Sequence, residues 1–288
     1  MSIGDFHLHT TASDGVHSPA DIVAMAARRG VRHISITDHD STEGLDEAAA
    51  AAEEAGLQLV PGVELSADLG LADVHLLGFG FRTNSRALQE FLAWLRNGRL
   101  ERTRKTVRIL AEHDMPIEID RVFEIAGEAT VGRPHVALAL VERGHVASVQ
   151  EAFDRVLGNG KPADVNREKL PPEGAIRMVH DSGGVVFAAH PVFIADDYDP
   201  ALAELSRWGL DGIETFYKNY DAETVSHHSE LANRHGLGTS GGSDYHGLGN
   251  PDDREIGDIP FPDTEVEKFL AFLENRGVIT EIAGGSDA

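Results

Sequence analysis

Over about the first hundred residues, short apolar runs rich in β-branched side chains alternate with stretches whose apolar positions recur at helical spacing. The runs Ile3–Leu8, Val31–Thr37, Leu57–Val63 and Val74–Phe81 predict strands. Between them, Ser18–Arg29 reads as a helix with Ser18 as its N-cap and Pro19 in its first turn. Glu43–Ala55 reads as an Ala/Glu-rich helix stopped by Gly56. This alternation predicts an α/β fold with a parallel sheet of βα units.

The rhythm breaks between residues 85 and 165. Arg86–Glu112 reads as one or two long helices, followed by shorter ones at Ile119–Ile125, Arg133–Glu142 and Val149–Leu157, with an exit turn at Gly158–Pro162. Alternation then resumes. Helices are expected at Pro172–Asp181, Ala201–Trp208, Ala222–His235 and Thr264–Arg276, and strands at Gly184–Ala189, Gly212–Phe216 and Gly238–Gly242. The tail Gly284–Ala288 is expected to fray. The expected organisation is one α/β domain in two parts, residues 1–84 and 166–288, with an all-helical insertion at 85–165.

Composition narrows the chemistry. Hydrophobic residues make up 41% of the 288-residue chain, enough for a full core, and no apolar run approaches the roughly 18 residues of a membrane span. The opening Met-Ser-Ile-Gly-Asp-Phe-His lacks the character of a secretory leader, so a cytoplasmic enzyme is expected. There is no cysteine, which leaves nitrogen and oxygen as metal ligands and suits manganese, zinc or iron. A net charge of −23 argues against binding duplex nucleic acid, which relies on many Lys and Arg contacts to phosphate. A phosphorylated substrate would need positive charge concentrated locally.

Five short stretches place histidines and carboxylates at the ends of apolar runs. They are Asp5–Thr10, Thr37–Asp40, Gly62–Glu64, Ala189–Pro191 and Ser243–His246. With Asp14 and His75 they supply nine candidate ligands: His7, His9, His39, His75, His190, His246, Asp14, Glu64 and Asp244. That exceeds the needs of one ion and points to a cluster of metals sharing a carboxylate. His7 and His9 share one strand face, and each needs partners that a metal supplies. Glu64, read as following a Pro61-Gly62 turn, is a carboxylate in an apolar setting that requires a counter-charge. Asp40 is the candidate to fix the tautomer of a ligand His at position 39. His113, His145, His180, His227, His228 and His235 lie in polar helical surroundings and read as surface residues. Metals of this kind lower the pKa of bound water and neutralise phosphoryl oxygens, so a phosphoesterase is the expected activity.

In order, His7-x-His9 with Thr10–Gly15, Thr37-Asp38-His39-Asp40, Gly62-Val63-Glu64, His190-Pro191 and Ser243-Asp244-x-His246 resemble the motifs of the PHP (polymerase and histidinol phosphatase) superfamily. The resemblance implies a distorted (β/α) barrel with an inserted helical cap and two or three divalent ions, most often Mn2+. It further implies that His7, His9, Glu64 and Asp244 form one site, Asp14, His39 and His246 a second, and Glu64, His75 and His190 a third, with Glu64 bridging.

Gly132–Ala137 and Ala152-Phe153 followed by Gly160 resemble the insertion of the nucleoside 3′,5′-bisphosphate phosphatase and 5′-to-3′ exoribonuclease branch. That branch acts on pAp-like nucleotides and short 5′-phosphorylated RNA. Arg99 and Arg102 are one helical turn apart, and Arg133 with His135 stands at a predicted helix start, so these four are the candidate phosphate-binding residues. No membrane and no obligate protein partner is expected. The rival expectations are a histidinol-phosphate or other small-molecule phosphomonoesterase, and a metal-binding accessory module without turnover.

Overall fold

The computed structural model describes all residues other than 71–72, 128, 159, 166–169, 196, 250–253 and 283–288, so the tail and part of the exit turn discussed above lie outside the described residues. In chain order the elements are β1 (Gly4–Leu8), α1 (Pro19–Arg28), β2 (His33–Ile36), α2 (Leu45–Ala55), β3 (Gln58–Asp68) and β4 (Asp73–Phe79). The inserted stretch follows as α3 (Arg86–Glu112), α4 (Ile119–Ala126), α5 (Arg133–Glu142) and α6 (Val149–Ala152), the last running into a wide turn at Phe153–Leu157. Then come α7 (Pro172–Asp181), β5 (Val185–Ala188), α8 (Asp199–Arg207), β6 (Gly212–Tyr217), α9 (Ala222–His235), β7 (Gly238–Gly242) and α10 (Asp263–Asn275). Ser18 caps α1 by accepting the Asp21 N–H, and Gly56 ends α2 in the left-handed conformation. Among the described residues, no helix is long and apolar enough to cross a membrane.

Among the described residues seven strands form one sheet in the order β1 to β7, and its edges meet. Leu8 bridges Tyr245 beyond β7, and the His9 N–H donates to the Tyr245 carbonyl at 3.0 Å. Closure depends on Gly242: a Cβ there would lie 2.2 Å from the His7 Cβ. The result is a distorted α/β barrel.

The expected all-parallel sheet needs one correction. β4 is antiparallel to both β3 and β5. The reason is length: β3 continues through Pro61 and Gly62 to Asp68, leaving a link to β4 too short for a helical crossover. Glu64 therefore sits within a strand, paired with Leu77, and does not follow a turn. Reversal of β4 brings His75, near its start and opposite Ser66, to the end of the barrel where the parallel strands finish.

Side chains alternate between two cores. Leu59, Val63, Leu65, Leu76, Val186 and Ala188 face the surrounding helices, packing with residues such as Ile22, Ala48, Ile176 and Leu205. Val60, Leu77, Phe79 and Phe187 face inward around Phe269 of α10, which plugs one end. Each buried Phe in this layer contributes roughly 1.5–3 kcal/mol, which helps to offset the cost of a polar layer above it. Phe6 belongs to the inner core and Leu8 to the outer one, although they are two residues apart. A register shift between Asp5 and Leu8 resolves the conflict and turns both His7 and His9 inward.

Residues 85–165 contain both barrel-facing and separate packing. Leu88, Leu92 and Leu95 of α3 join the outer barrel core, whereas Leu110 packs with Val122, Val136, Leu140 and Leu157 in a core of their own. One surface assignment is overturned. His228 is fully buried, and its Nε2 accepts from the Tyr198 hydroxyl at 2.6 Å. His180 and His235 are half-buried and paired with Asp211 and Asp199. Their polar sequence neighbours face solvent while these rings turn toward acidic partners on other elements.

Candidate metal centre

The nine candidate side chains converge at the strand-end face of the barrel. Donor atoms of His7, His9, Glu64 and Asp244 lie within 4.8 Å of one another, as do those of His9, Asp14, His39 and His246, and those of His39, Glu64 and His75. His190 Nε2 stands 3.3 Å from Glu64 Oε1. The two oxygens of Glu64 face different imidazoles. Oε2 lies 3.4 Å from His7, 3.2 Å from His9 and 3.0 Å from His39, while Oε1 lies 2.7 Å from His75. His39 reaches two groups at once, with Nδ1 toward Glu64 and Nε2 3.7 Å from Asp14.

These contacts suit a metal better than hydrogen bonds. His7 Nε2, His9 Nε2, His39 Nδ1 and His75 Nδ1 are buried with no hydrogen-bond partner among the described residues. Such orphaned nitrogens are costly unless something else meets their lone pairs. His9 Nε2 is 3.2 Å from both Glu64 Oε2 and Asp244 Oδ1. Ligand bonds of about 2.0–2.2 Å put neighbouring donors on one ion about 3.0–3.5 Å apart, so these separations match the edges of a coordination polyhedron. The residues present fit a metal cluster.

Electrostatics agree. Burial opposes charge on His9, yet Asp244 and Glu64 push its pKa up to about 10. Burial likewise opposes charge on Glu64, but His39, His75 and His7 hold its carboxyl well below the usual range. For His39 burial wins, and the ring falls to about 4. The carboxylates of this centre thus demand positive charge, which the chain itself supplies from Lys218 beside Asp244 and by protonating imidazoles.

Several supports were not apparent from the sequence. Glu214, fully buried on β6, accepts a hydrogen bond from His7 Nδ1–H at 2.9 Å, leaving His7 Nε2 to face the centre, and accepts the His190 N–H at 2.7 Å. Its setting, Gly-Ile-Glu-Thr-Phe, carries the same signal as Glu64, a carboxylate in an apolar strand. Asp38 accepts from the Thr10 N–H at 2.8 Å and from the Thr10 and Ser13 hydroxyls, bracing the loop between His9 and Asp14. Tyr217 and Lys218 hold Asp244 Oδ2 at 2.8 and 3.0 Å, and nothing in their own sequence context signals it. Asp40, expected beside His39, instead accepts from Arg99 Nε at 2.6 Å and from the Ser66 N–H. His190, Lys218, Asp244 and Asp40 all have positive φ. Such backbone strain in non-glycine residues clusters where surrounding structure forces a functional geometry.

The Glu214 contacts yield a test. In Glu214→Gln the hydrogen bond can survive with a reoriented amide, but the charge that favours the Nε2-ligating tautomer of His7 is lost. Metal affinity or turnover is expected to fall about 10–100-fold, as for other partners of ligand histidines. Metal titration with activity measurement checks it, and an unchanged affinity and rate would remove Glu214 from the centre.

A cavity of about 200 Å³ opens over the cluster and is also lined by Arg99, Arg102 and Arg133. The start of α5 approaches it closely: a Cβ at Gly132 would lie 3.6 Å from Arg99 Nη1 and 3.7 Å from Asp14 Oδ2. The four predicted phosphate-binding residues differ in setting. Arg99 is nearly fully buried and tied to Asp40 and Ser66. Arg133 lies over the Phe153 ring and 3.9 Å from Asp164. His135 accepts the Gly132 N–H at its Nδ1, so only Nε2 remains for a ligand.

A strained cluster of imidazoles and carboxylates at the mouth of a distorted barrel, roofed by arginines, defines a metal-dependent phosphoesterase. Comparison with known proteins gives the same class. The PHP domain model matches residues 5–157, and the chain belongs to the PHP family. A 3′,5′-nucleoside bisphosphate phosphatase from Chromobacterium violaceum is 33% identical over 266 residues, covering 89% of this chain and 92% of that protein. A 5′-3′ exoribonuclease from Haemophilus influenzae is also 33% identical, over 84% of this chain and 89% of its own. Among solved structures, an amidohydrolase from Chromobacterium violaceum with bound sulfate and no metal superposes with a TM-score of 0.85 at 30% identity, covering 95% of this chain and 96% of that one. Two relatives of equal identity but different activity leave the substrate to be argued from the site.

Proposed function

We propose that the protein removes the 3′-phosphate from nucleoside 3′,5′-bisphosphates such as pAp, and that the same centre acts on short 5′-phosphorylated RNA. One observation carries this reading: Arg99, Arg102 and Arg133 line the same 200 Å³ cavity as Glu64, His75, His190, Asp244 and His246. A cavity with a metal cluster and a separate cationic group suits a substrate with two anionic groups. A monoester such as histidinol phosphate would leave the arginines unused, and a metal-binding accessory module without turnover would need no cationic cavity beside its metals.

In this reading the nine side chains, His7, His9, Asp14, His39, Glu64, His75, His190, Asp244 and His246, hold two or three divalent ions. Manganese is the first choice, with zinc and iron as alternatives, and Glu64 bridges. When bound, such ions lower the pKa of water and stabilise charge on phosphoryl oxygens. The remaining work belongs to the chain. Glu214 and Tyr217 orient His7 and Asp244, and Arg102 and Arg133 grip the phosphate that is not cleaved. The start of α5 directs its positive dipole end at the same anion. Residues 85–165 act as a cap on a barrel formed by 1–84 and 166–288, in a cytoplasmic enzyme acting on small nucleotides and needing no obligate partner.

Turnover of pAp, short 5′-phosphorylated RNA and histidinol phosphate, measured side by side with manganese, tests the reading. Fast turnover of histidinol phosphate with none of pAp would overturn it. Arg102→Ala and Arg133→Ala refine it: each is expected to raise KM for pAp about tenfold to a hundredfold, the worth of a charge-assisted pair to phosphate. p-Nitrophenyl phosphate, with no second phosphate, should be nearly unaffected. Equal losses on both substrates would assign these arginines to the reacting phosphate or the fold. Arg99→Ala is a poorer probe, because it strands the fully buried Asp40 carboxylate at a cost of about 3–5 kcal/mol.

A further inference from the structure

Phe193 is 61% exposed beside the most polar part of the molecule, where the fold has no need of it. It ends a single turn, Pro191–Phe193, that follows His190 directly. Its ring is nevertheless held in place, edge-on to His190 at 5.3 Å and to Tyr217 at 6.1 Å between centroids. An exposed aromatic ring with a fixed orientation loses little conformational freedom on meeting a flat ligand.

Phe193 lines a second chamber, of about 450 Å³, that shares His75, His190, Asp244 and Arg133 with the smaller cavity over the cluster. The volume lies within the range of small-molecule sites. Phe153, from the inserted helices, and Ile194 line it with Phe193. Three of its polar side chains already make contacts within the protein. The Gln150 amide donates to Asp154, and the Tyr217 hydroxyl and Lys218 ammonium bind Asp244. A ligand part entering here meets π-faces and apolar surface.

We propose that this chamber receives the nucleobase of the substrate, with Phe193 as its stacking platform, and that it accepts purines and pyrimidines alike. The inference rests on the bisphosphate reading and deepens it: the substrate class becomes nucleotides of any base, and sugar phosphates without a base are disfavoured. Every base has a π-face, so stacking tolerates sequence, whereas discrimination requires donors and acceptors aimed at base edges.

Equilibrium binding tests it independently of turnover. Calorimetric titrations of the full chain with AMP, GMP, CMP, UMP and ribose 5-phosphate compare ligands that share a phosphate and sugar and differ in the base. AMP is expected to bind at least about tenfold more tightly than ribose 5-phosphate, with the four nucleotides within about tenfold of one another. Phe193→Ala should bring AMP close to ribose 5-phosphate, and Phe193→Trp should restore the gap. Because the side chain is exposed, an unchanged melting temperature is expected for both variants. Equal binding of AMP and ribose 5-phosphate by the wild-type chain, a gap that survives Phe193→Ala, or a preference above about a hundredfold for one base would each overturn the proposal. Nucleotide binding as described without hydrolysis of any bisphosphate would leave the base chamber standing and remove the proposed reaction. Hydrolysis of bisphosphates by a chain that binds AMP and ribose 5-phosphate equally would do the reverse.

Discussion

His9→Ala and Asp244→Asn are each expected to abolish phosphoester hydrolysis while leaving the barrel folded. His9 belongs to two of the three donor groups, and Asp244 Oδ1 lies 3.2 Å from its Nε2. Loss of a partner that only orients a ligand already costs about 10–100-fold, so loss of a ligand should exceed that. Neither change removes a large apolar side chain from either barrel core, so no cavity penalty arises there. Circular dichroism and thermal melting should report a folded protein, and metal analysis should report reduced occupancy. Full activity at unchanged metal content in either variant would remove that residue from the ligand set.

Chelation is expected to inactivate the wild-type protein, with manganese restoring activity better than magnesium. Six imidazoles among nine donors favour a borderline transition ion, whereas magnesium prefers oxygen and keeps its water. Metal uptake should also release protons. In the metal-free chain His9, raised to about 10, carries a proton at neutral pH, and a cation arriving at Nε2 must displace it. The sign follows: apparent metal affinity rises with pH and weakens as pH falls, because protons compete for the same nitrogen. Metal titration in weak buffer, followed by pH electrode, reads this directly. A metal-free protein as active as the metal-loaded one would exclude the chemistry, and uptake without proton release would show that His9 is already neutral.

Much of the centre was legible because its chemistry is local in sequence. His7-x-His9, His39, Glu64, His190 and Asp244-x-His246 all stand on or beside apolar runs, where a polar side chain must find a partner or be expelled. Helices with clear end signals, such as Pro172–Asp181 and Ala222–His235, were equally readable. The reversed strand was not. An apolar run has the same period in either direction, and β3 looked complete at Val63 although its alternation continues to Asp68.

The side chains that tune the centre were hidden for a different reason. Asp40 turns to Arg99, 59 residues away, and Glu214 to His7, 207 residues away. His228 reads as a surface residue until Tyr198 is packed over it. The sequence by itself determined which residue types could bind metal and that strands would carry them, because burial makes an unpaired carboxylate or imidazole costly wherever it falls. The tertiary structure alone decided the direction of β4, the bulge that turns His7 and His9 inward, the pairing of Asp40 with Arg99 and the placing of Phe193 beside the cluster. Each of these depends on which strands and helices meet in space, a choice made by long-range packing and chain connectivity that no local pattern encodes.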